Sequence, residues 1–248
     1  MTDEQRTHEE ELKHGAETIA ERLLDAGHEA WFVGGSVRDT LLGLPLKDID
    51  IVTDARPEQI EKLFEKSRFV GKKFGVCLVN FGGYDYEVAT FRKDGRYLDH
   101  RHPDEVTFGT MENDAARRDF TVNALFQHPA SGEVRDLVGG LEDLRARRLR
   151  CVGDPHRRFN EDALRLLRAV RFAARFGFAI EPETWQAMKE LAPTIELISP
   201  ERHREELNRM LCGEAPSRAL RMMDECGLLH FLLPEIEAMH GIEQGEVS

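Results

Sequence analysis

The chain contains 248 residues, of which 34 are basic and 46 acidic, so its formal net charge is −12. With 41% hydrophobic and 32% charged residues, the composition excludes a disordered protein and suits one large or two small globular domains. The apolar stretches are too short to span a bilayer, the charged N-terminus is unlike a secretory signal, and four widely spaced cysteines exclude a zinc ribbon. These features predict a cytoplasmic protein that is not bound to a membrane.

Positive charge is concentrated in residues 144–175, which contain ten arginines and three acidic residues and therefore have a net charge of +7. The rest of the chain carries −19. Arginine forms two-pronged contacts with phosphates and base edges. The distribution of charge thus favours a nucleic-acid or nucleotide partner, although the total is acidic.

Helix and strand signals alternate in the first half of the chain. In chain order the patterns predict a helix over 4–26, a strand over 29–33, a short helix capped by Ser36, a strand over 48–53, a helix over 57–66, a hairpin over 75–81 and 86–91, a helix over 116–126 and a strand within 134–140. Residues 92–112 are polar and unpatterned, which is typical of a functional or mobile connection. After Leu141 nearly all signals are helical. We therefore predict an α+β fold, with a mixed-sheet head over 1–150 and an all-helical domain over 151–248.

The segment VGGSVRD, residues 33–39, predicts a strand that turns through two glycines into a helix. Free backbone N–H groups at such a helix start, with Arg38 on the first turn, can bind an anion. An ordinary strand–turn–helix connection is the alternative. The segment matches neither a dinucleotide-binding fingerprint nor a P-loop.

Two carboxylates, Asp48 and Asp50, flank Ile49 in the second predicted strand and should face the same side. Their repulsion and loss of hydration are costly unless a cation lies between them. Magnesium prefers such oxygen ligands, and Glu87 on a later strand is a candidate third carboxylate. The alternative is that these acids simply face solvent at a sheet edge.

Two further groups of polar residues are candidates for binding. Asp119 and Asn123 are predicted to share a helix face and to hydrogen-bond each other, with Arg118 reaching the same pocket as the carboxylates. A predicted helix over 161–176 has an apolar stripe on one side. Its other side carries four residues spaced three apart: Asp162, Arg165, Arg168 and Arg171. No acidic residue follows Asp162 on this side. Such a face can present an acceptor and donors to a base, and arginines to phosphate.

The motifs GGSVRDTLLGLPLKDIDIVT, RRDFTVNAL, DLVGG and EDALRLLRAVRF, in this order, strongly resemble the bacterial tRNA nucleotidyltransferase and poly(A) polymerase family, the class II CCA-adding enzymes. The similarity extends from about Ala30 to Phe178 and more loosely to about Ile242. The resemblance implies a polymerase-β-like nucleotidyltransferase head followed by a helical neck. Members of the family usually continue into body and tail domains, whereas this sequence stops after the neck, so we expect either a fragment or a minimal form.

The resemblance also implies roles for individual residues. Asp48 and Asp50 match the magnesium-binding pair, which together with Glu87 forms the predicted catalytic set. The predicted nucleotide-binding residues are Gly35, Arg38, Arg118, Asp162, Arg165, Arg168 and Arg171, with Asp162 and Arg165 matching the pair that selects the base. The implied reaction adds CCA, or part of it, to tRNA 3′ ends from CTP and ATP with Mg²⁺. A poly(A) polymerase and a non-catalytic RNA- or nucleotide-binding module remain the alternatives.

Overall fold

The computed structural model describes residues 3–71, 75–95 and 106–242. These form two compact units, with the boundary between them at Ala146 and Arg147. The first unit contains a mixed sheet with helices and the second is mainly helical, so the α+β fold class is confirmed. The domain boundary at residue 150 stays a prediction. No helix in the part of the chain that the structure describes is long and apolar enough to cross a membrane.

The elements of the first unit, in chain order, are α1 Asp3–Asp25, β1 Ala30–Val33, α2 Gly35–Leu41, β2 Asp50–Thr53, α3 Pro57–Leu63, β3 Ser67–Gly71, β4 Val76–Phe81, β5 Tyr84–Thr90, β6 Arg92–Asp94, β7 Val106–Phe108, α4 Met111–Arg117, a 3₁₀ turn at Thr121–Asn123, β8 Leu125–Gln127, β9 Val134–Asp136 and α5 Gly140–Arg145. Seven of the strands form one sheet in the order β3-β4-β5-β2-β1-β8-β9. The β2–β5 pair is parallel and the other neighbours are antiparallel. Strands β6 and β7 pair separately.

Apolar residues fill both faces of the sheet. On one face, α1 packs its buried Ile19 and Leu23 into a cluster that contains Ile51 of β2 and Val88 of β5. On the other face, Val52 belongs to a second cluster with aromatic residues of β1 and β8. Because adjacent strand residues face opposite sides, β2 is buried on both faces and forms the centre of the unit.

The elements of the second unit are β10 Arg148–Leu149, α6 Pro155–Glu161, α7 Leu164–Phe176, β11 Ala179–Ile180, α8 Pro182–Leu191, a 3₁₀ segment at Ala192–Leu197, α9 Pro200–Leu211, α10 Pro216–Glu225, α11 Leu228–Leu232 and α12 Pro234–Glu237. The buried side of α7 includes Leu166, Leu167 and Val170, which are fully inaccessible. The predicted apolar stripe of this helix is therefore confirmed.

Three predicted elements were wrong in their extent. The helix over 116–126 does not exist as such, since α4 ends at Arg117 and β8 begins at Leu125. The helix over 161–176 is broken at Asp162 and Ala163. The polar connection over 92–112 contains β6 and β7, and its residues 96–105 lie outside the described part of the chain.

Candidate active site

The glycine turn between β1 and α2 has a backbone conformation that only glycine adopts easily. Gly34 has φ +76° and precedes α2, which begins at Gly35. A Cβ on Gly34 would lie 3.2 Å from Nη1 of Arg118, so the guanidinium of that arginine rests against the turn. The predicted cap by Ser36 was wrong: its Oγ donates to the carbonyl of Val33 at 3.2 Å, and Gly34 occupies the N-cap position.

Parallel pairing places Asp50 and Glu87 side by side. The register of β2 and β5 joins Ile51 to Val88, and Asp50 and Glu87 each come one residue earlier. Side chains at successive positions alternate between faces, so these two carboxylates share a face. Asp48 was predicted to lie on the same strand, but β2 begins only at Asp50, and Asp48 is exposed in the preceding segment.

The electrostatic environment of Asp50 includes the other two carboxylates. The pKa of Asp50 is raised to about 7, first by burial and then by the negative charges of Glu87 and Asp48, and the Arg118 guanidinium opposes these effects. A cation bound beside Asp50 would remove much of this electrostatic penalty.

These oxygen donors therefore fit a hard divalent cation such as Mg²⁺. Within residues 3–71, 75–95 and 106–242, no group of three or more acidic, histidine or cysteine side chains is arranged to hold a metal ion. Water and substrate phosphate complete the shell of Mg²⁺ in many proteins, where one or two carboxylates suffice.

Arg38 lies in the interior of the first unit and has only 3% of its surface exposed. Its Nε donates to Asp39 Oδ1 at 2.8 Å, and its Nη1 donates to Asn123 Oδ1. Asn123 Nδ2 in turn donates to Asp119 Oδ1 at 3.0 Å, so the predicted bond between these two residues is confirmed without the predicted helix. The network links α2 to the RRD segment.

Arg118 is held by a residue that the sequence analysis missed, the fully buried Asp114. Asp114 lies three residues before Arg117 and four before Arg118, and it binds both guanidinium groups. The spacing D-x-x-R-R on a helix is the signal that could have identified it, since residues three and four apart are neighbours.

In the second unit, Asp162 lies in the break between α6 and α7. Its two carboxylate oxygens accept hydrogen bonds from Arg202 Nη1 and Nη2 at 3.2 and 2.8 Å, and Oδ1 also accepts the Leu164 N–H at 3.1 Å. Asp162 therefore accepts the N–H of the first residue of α7, whose N-cap position is Ala163, and pairs with α9. Sequence spacing could not have revealed its distant partner Arg202.

Arg165 is nearly buried and points to the end of α6. Its Nη1 donates to Glu161 Oε2 at 2.9 Å and to the carbonyl of Arg158 at 2.8 Å. Glu161 also accepts from Arg157 and Arg158. Glu161 is thus a second missed residue, and the i,i+4 spacing to Arg165 was its signal.

Among the remaining arginines of α7, Arg171 has an acidic partner on another helix. Arg171 Nε donates at 2.6 Å to Glu206 of α9, whose exposed surface is 3%. Burial lowers the pKa of Arg171, and Glu206 opposes that effect. The guanidinium groups of Arg168 and Arg171 lie 5.2 and 4.3 Å from the Phe172 ring centroid.

The DLVGG motif supports the fold. Asp136 accepts four backbone N–H groups, from Val138 through Leu141, at 2.9–3.1 Å, and these bonds hold its pKa below the usual value although burial opposes them. A Cβ on Gly140 would lie 2.2 Å from the carbonyl oxygen of Thr121, so this position requires glycine.

Comparison with known proteins adds two family matches. Residues 30–150 match the family model of the poly A polymerase head domain, and residues 177–239 match the model described as "Probable RNA and SrmB- binding site of polymerase A". The chain is 45% identical over 224 residues to the CCA-adding enzyme of Leuconostoc mesenteroides, covering 90% of this chain and 56% of that protein.

Solved structures agree with the sequence matches. The CCA-adding enzyme of Bacillus stearothermophilus in complex with CTP is similar with a TM-score of 0.80 and 44% identity, over 87% of this chain and 52% of that one. The Thermotoga maritima CCA-adding enzyme complexed with tRNA is similar with a TM-score of 0.74 and 27% identity, over 89% and 52%. The chain thus spans about half the length of the relatives it matches.

Proposed function

The chain belongs to the tRNA nucleotidyltransferase and poly(A) polymerase family, and on that premise we propose that it is a nucleotidyltransferase that adds CCA, or part of it, to tRNA 3′ ends from CTP and ATP. The observation that carries the proposal is the electrostatic cluster of Asp50 with Glu87 and Asp48, next to the glycine turn and Arg118. A binding module gains nothing from mutually repelling carboxylates, whereas metal-dependent transfer requires them.

Membership of this family implies a divalent metal, and we propose that it is Mg²⁺ held by Asp48 and Asp50 with Glu87 as the third carboxylate. When bound, the metal polarises the phosphates and lowers the pKa of the attacking hydroxyl. Asp50 and Glu87 would hold the metal from neighbouring strands, because β2 and β5 are paired in one sheet, and Asp48 would contribute from the segment before β2.

We propose that Gly35, Arg38 and Arg118 serve the triphosphate in different ways. The turn at Gly34 and Gly35 keeps side chains away and lets the substrate approach the backbone. Arg118 supplies positive charge beside the carboxylates. Arg38, buried against Asp39 and Asn123, keeps the start of α2 in place. The rate enhancement then comes mainly from positioning and charge stabilisation.

In the second unit, we propose that Asp162 and Arg165 contact the base edge while Arg168 and Arg171 contribute positive charge. The support is that three of these side chains are held by ion-pair partners. Arg202 binds Asp162, Glu161 binds Arg165 and Glu206 binds Arg171. A side chain whose rotamer is fixed by a partner can discriminate between bases better than a mobile one.

The test is transfer of labelled CTP and ATP, with Mg²⁺, to tRNAs that end at different positions of the CCA terminus. Addition of C and A to the matching ends supports the proposal. Long tracts of A on any RNA would instead identify a poly(A) polymerase, and no transfer with tight RNA binding would identify a non-catalytic module.

We also propose that the protein acts in the cytoplasm, where tRNA ends are processed. Cys77, Cys151, Cys212 and Cys226 are all free thiols, which suits a reducing compartment. Fractionation of cells that produce the chain, followed by immunodetection, tests the location.

A further inference from the structure

Asp114 of α4 is a carboxylate without any exposed surface, enclosed by two arginines. Its Oδ1 accepts from Nε and Nη2 of Arg117 at 2.8 and 2.5 Å, and its Oδ2 accepts from Nε and Nη2 of Arg118 at 3.0 and 2.7 Å. Burial alone would raise the pKa of Asp114, but the two arginines outweigh it and hold the pKa below its usual value. The group is therefore a charged, two-sided clamp.

The Arg118 half of the clamp faces the candidate active site. Asp114 takes one N–H each from Nε and Nη2, and Nη1 makes only a long contact of 3.5 Å to the Asn123 carbonyl. A guanidinium has five N–H donors, so donors of Arg118 remain for a ligand. Nη1 is the atom closest to where a Gly34 side chain would begin, at 3.2 Å.

Asp114 fixes the orientation of the Arg118 guanidinium, because Nε and Nη2 both donate to one carboxylate oxygen, Oδ2. Asp114 holds Arg118 by two charge-assisted bonds in a dry environment, where such bonds are strongest.

We propose that Asp114 is a positioning residue: it holds Arg118 beside the glycine turn so that the remaining donors of Arg118 bind the nucleoside triphosphate. This inference rests on the proposed nucleotidyltransferase function. Asp114 itself touches neither substrate nor metal, and it acts only through Arg118. The Arg117 half of the clamp anchors the carboxylate from the other side.

The experiment measures KM and kcat for CTP in Asp114→Asn. Loss of one charge-assisted clamp should raise KM roughly tenfold and change kcat less. In an Arg118→Ala background, Asp114→Asn should add nothing to KM. Arg117→Ala is the matched control, because it removes an equal number of bonds to the same carboxylate while leaving Arg118 in place.

Three results would overturn the inference. These are an unchanged KM in a folded Asp114→Asn protein, an equal rise of KM in Arg117→Ala, or a full additional effect of Asp114→Asn in the Arg118→Ala background. If Asp114→Asn does not fold, the KM of Arg118→Lys tests the inference instead. A KM like that of Arg118→Ala supports positioning through the two-pronged contact, and a KM equal to that of the wild type refutes it. Absence of transfer by the wild-type chain would instead remove the proposed function, and this inference with it.

Discussion

Replacing Asp50 by asparagine should stabilise the protein at alkaline pH when divalent metal is absent. The pKa of Asp50 is raised from its ordinary value of 3.8 to about 7, first by burial and then by Glu87 and Asp48. The folded state therefore binds this proton more tightly than the unfolded state does. The stabilising effect of the protonated form is complete below pH 4 and is lost as the pH rises through 7.

The size of the effect follows from the shift. A change of about three pKa units corresponds to about 4 kcal/mol, at roughly 1.4 kcal/mol per unit. Because Asp48 and Glu87 are exposed and salt screens their charges, we expect Asp50→Asn to raise the free energy of unfolding at pH 8.5 by roughly 1–4 kcal/mol. Toward pH 4, where Asp50 is protonated in the folded state and the pH is close to the ordinary pKa of 3.8, the difference between the variant and the wild type should become small.

The assay is urea unfolding of both proteins in EDTA at a series of pH values from 4 to 8.5. Asp48→Asn is the matched comparison, because Asp48 is exposed and should have a smaller effect. Adding Mg²⁺ at pH 8.5 should stabilise the wild type more than Asp50→Asn, since a ligand that binds only the folded state stabilises it. Parallel pH dependences of wild type and Asp50→Asn in EDTA would refute the raised pKa and the electrostatic argument for a metal site.

The other predictions concern the selection of the base, the ion pair of Arg171 with buried Glu206, and the close approach of Gly140 to the Thr121 carbonyl. Asp162→Ala should reduce discrimination between CTP and other triphosphates about tenfold to a hundredfold, measured as kcat/KM ratios, whereas a pure helix-capping role would slow all of them equally. Arg171→Ala should lower the free energy of unfolding by about 1–3 kcal/mol because buried Glu206 loses its closest partner, which urea titration detects. Gly140→Ala should lower the Tm by several degrees, as its Cβ would overlap the Thr121 carbonyl, and an unchanged melting curve would contradict this.

Local patterns predicted the parts of the head that depend on neighbours in sequence. The hairpin of β4 and β5 is present and joins Asn80 to Asp85, and the glycine turn lies where β1 meets α2. The parallel pairing of β2 with β5 was not predictable from periodicity, because 30 or more residues separate the two strands. That pairing is what places Glu87 beside Asp50.

Helix boundaries near the functional residues were predicted poorly for a physical reason. Residues 116–126 have helical spacing, but Asp119 bonds to the Phe120 N–H and to Asn123, which offers the backbone an alternative to the helix. In a similar way, Asp162 ends α6 and accepts the Leu164 N–H at the start of α7. Polar side chains that bond to nearby backbone interrupt helices, and such interruptions are common where a chain presents functional groups.

The arginine-rich segment shows why charge along the sequence is an incomplete guide to a binding surface. Its net charge of +7 predicts phosphate contacts, yet Glu161 alone pairs with Arg157, Arg158 and Arg165. Glu206, outside the segment, pairs with Arg171. An arginine with one carboxylate partner still has donors left for a ligand, but its position is then determined by that partner. The acidic partners therefore determine where the guanidinium groups of this segment lie, as Asp114 does for Arg118 in the first unit.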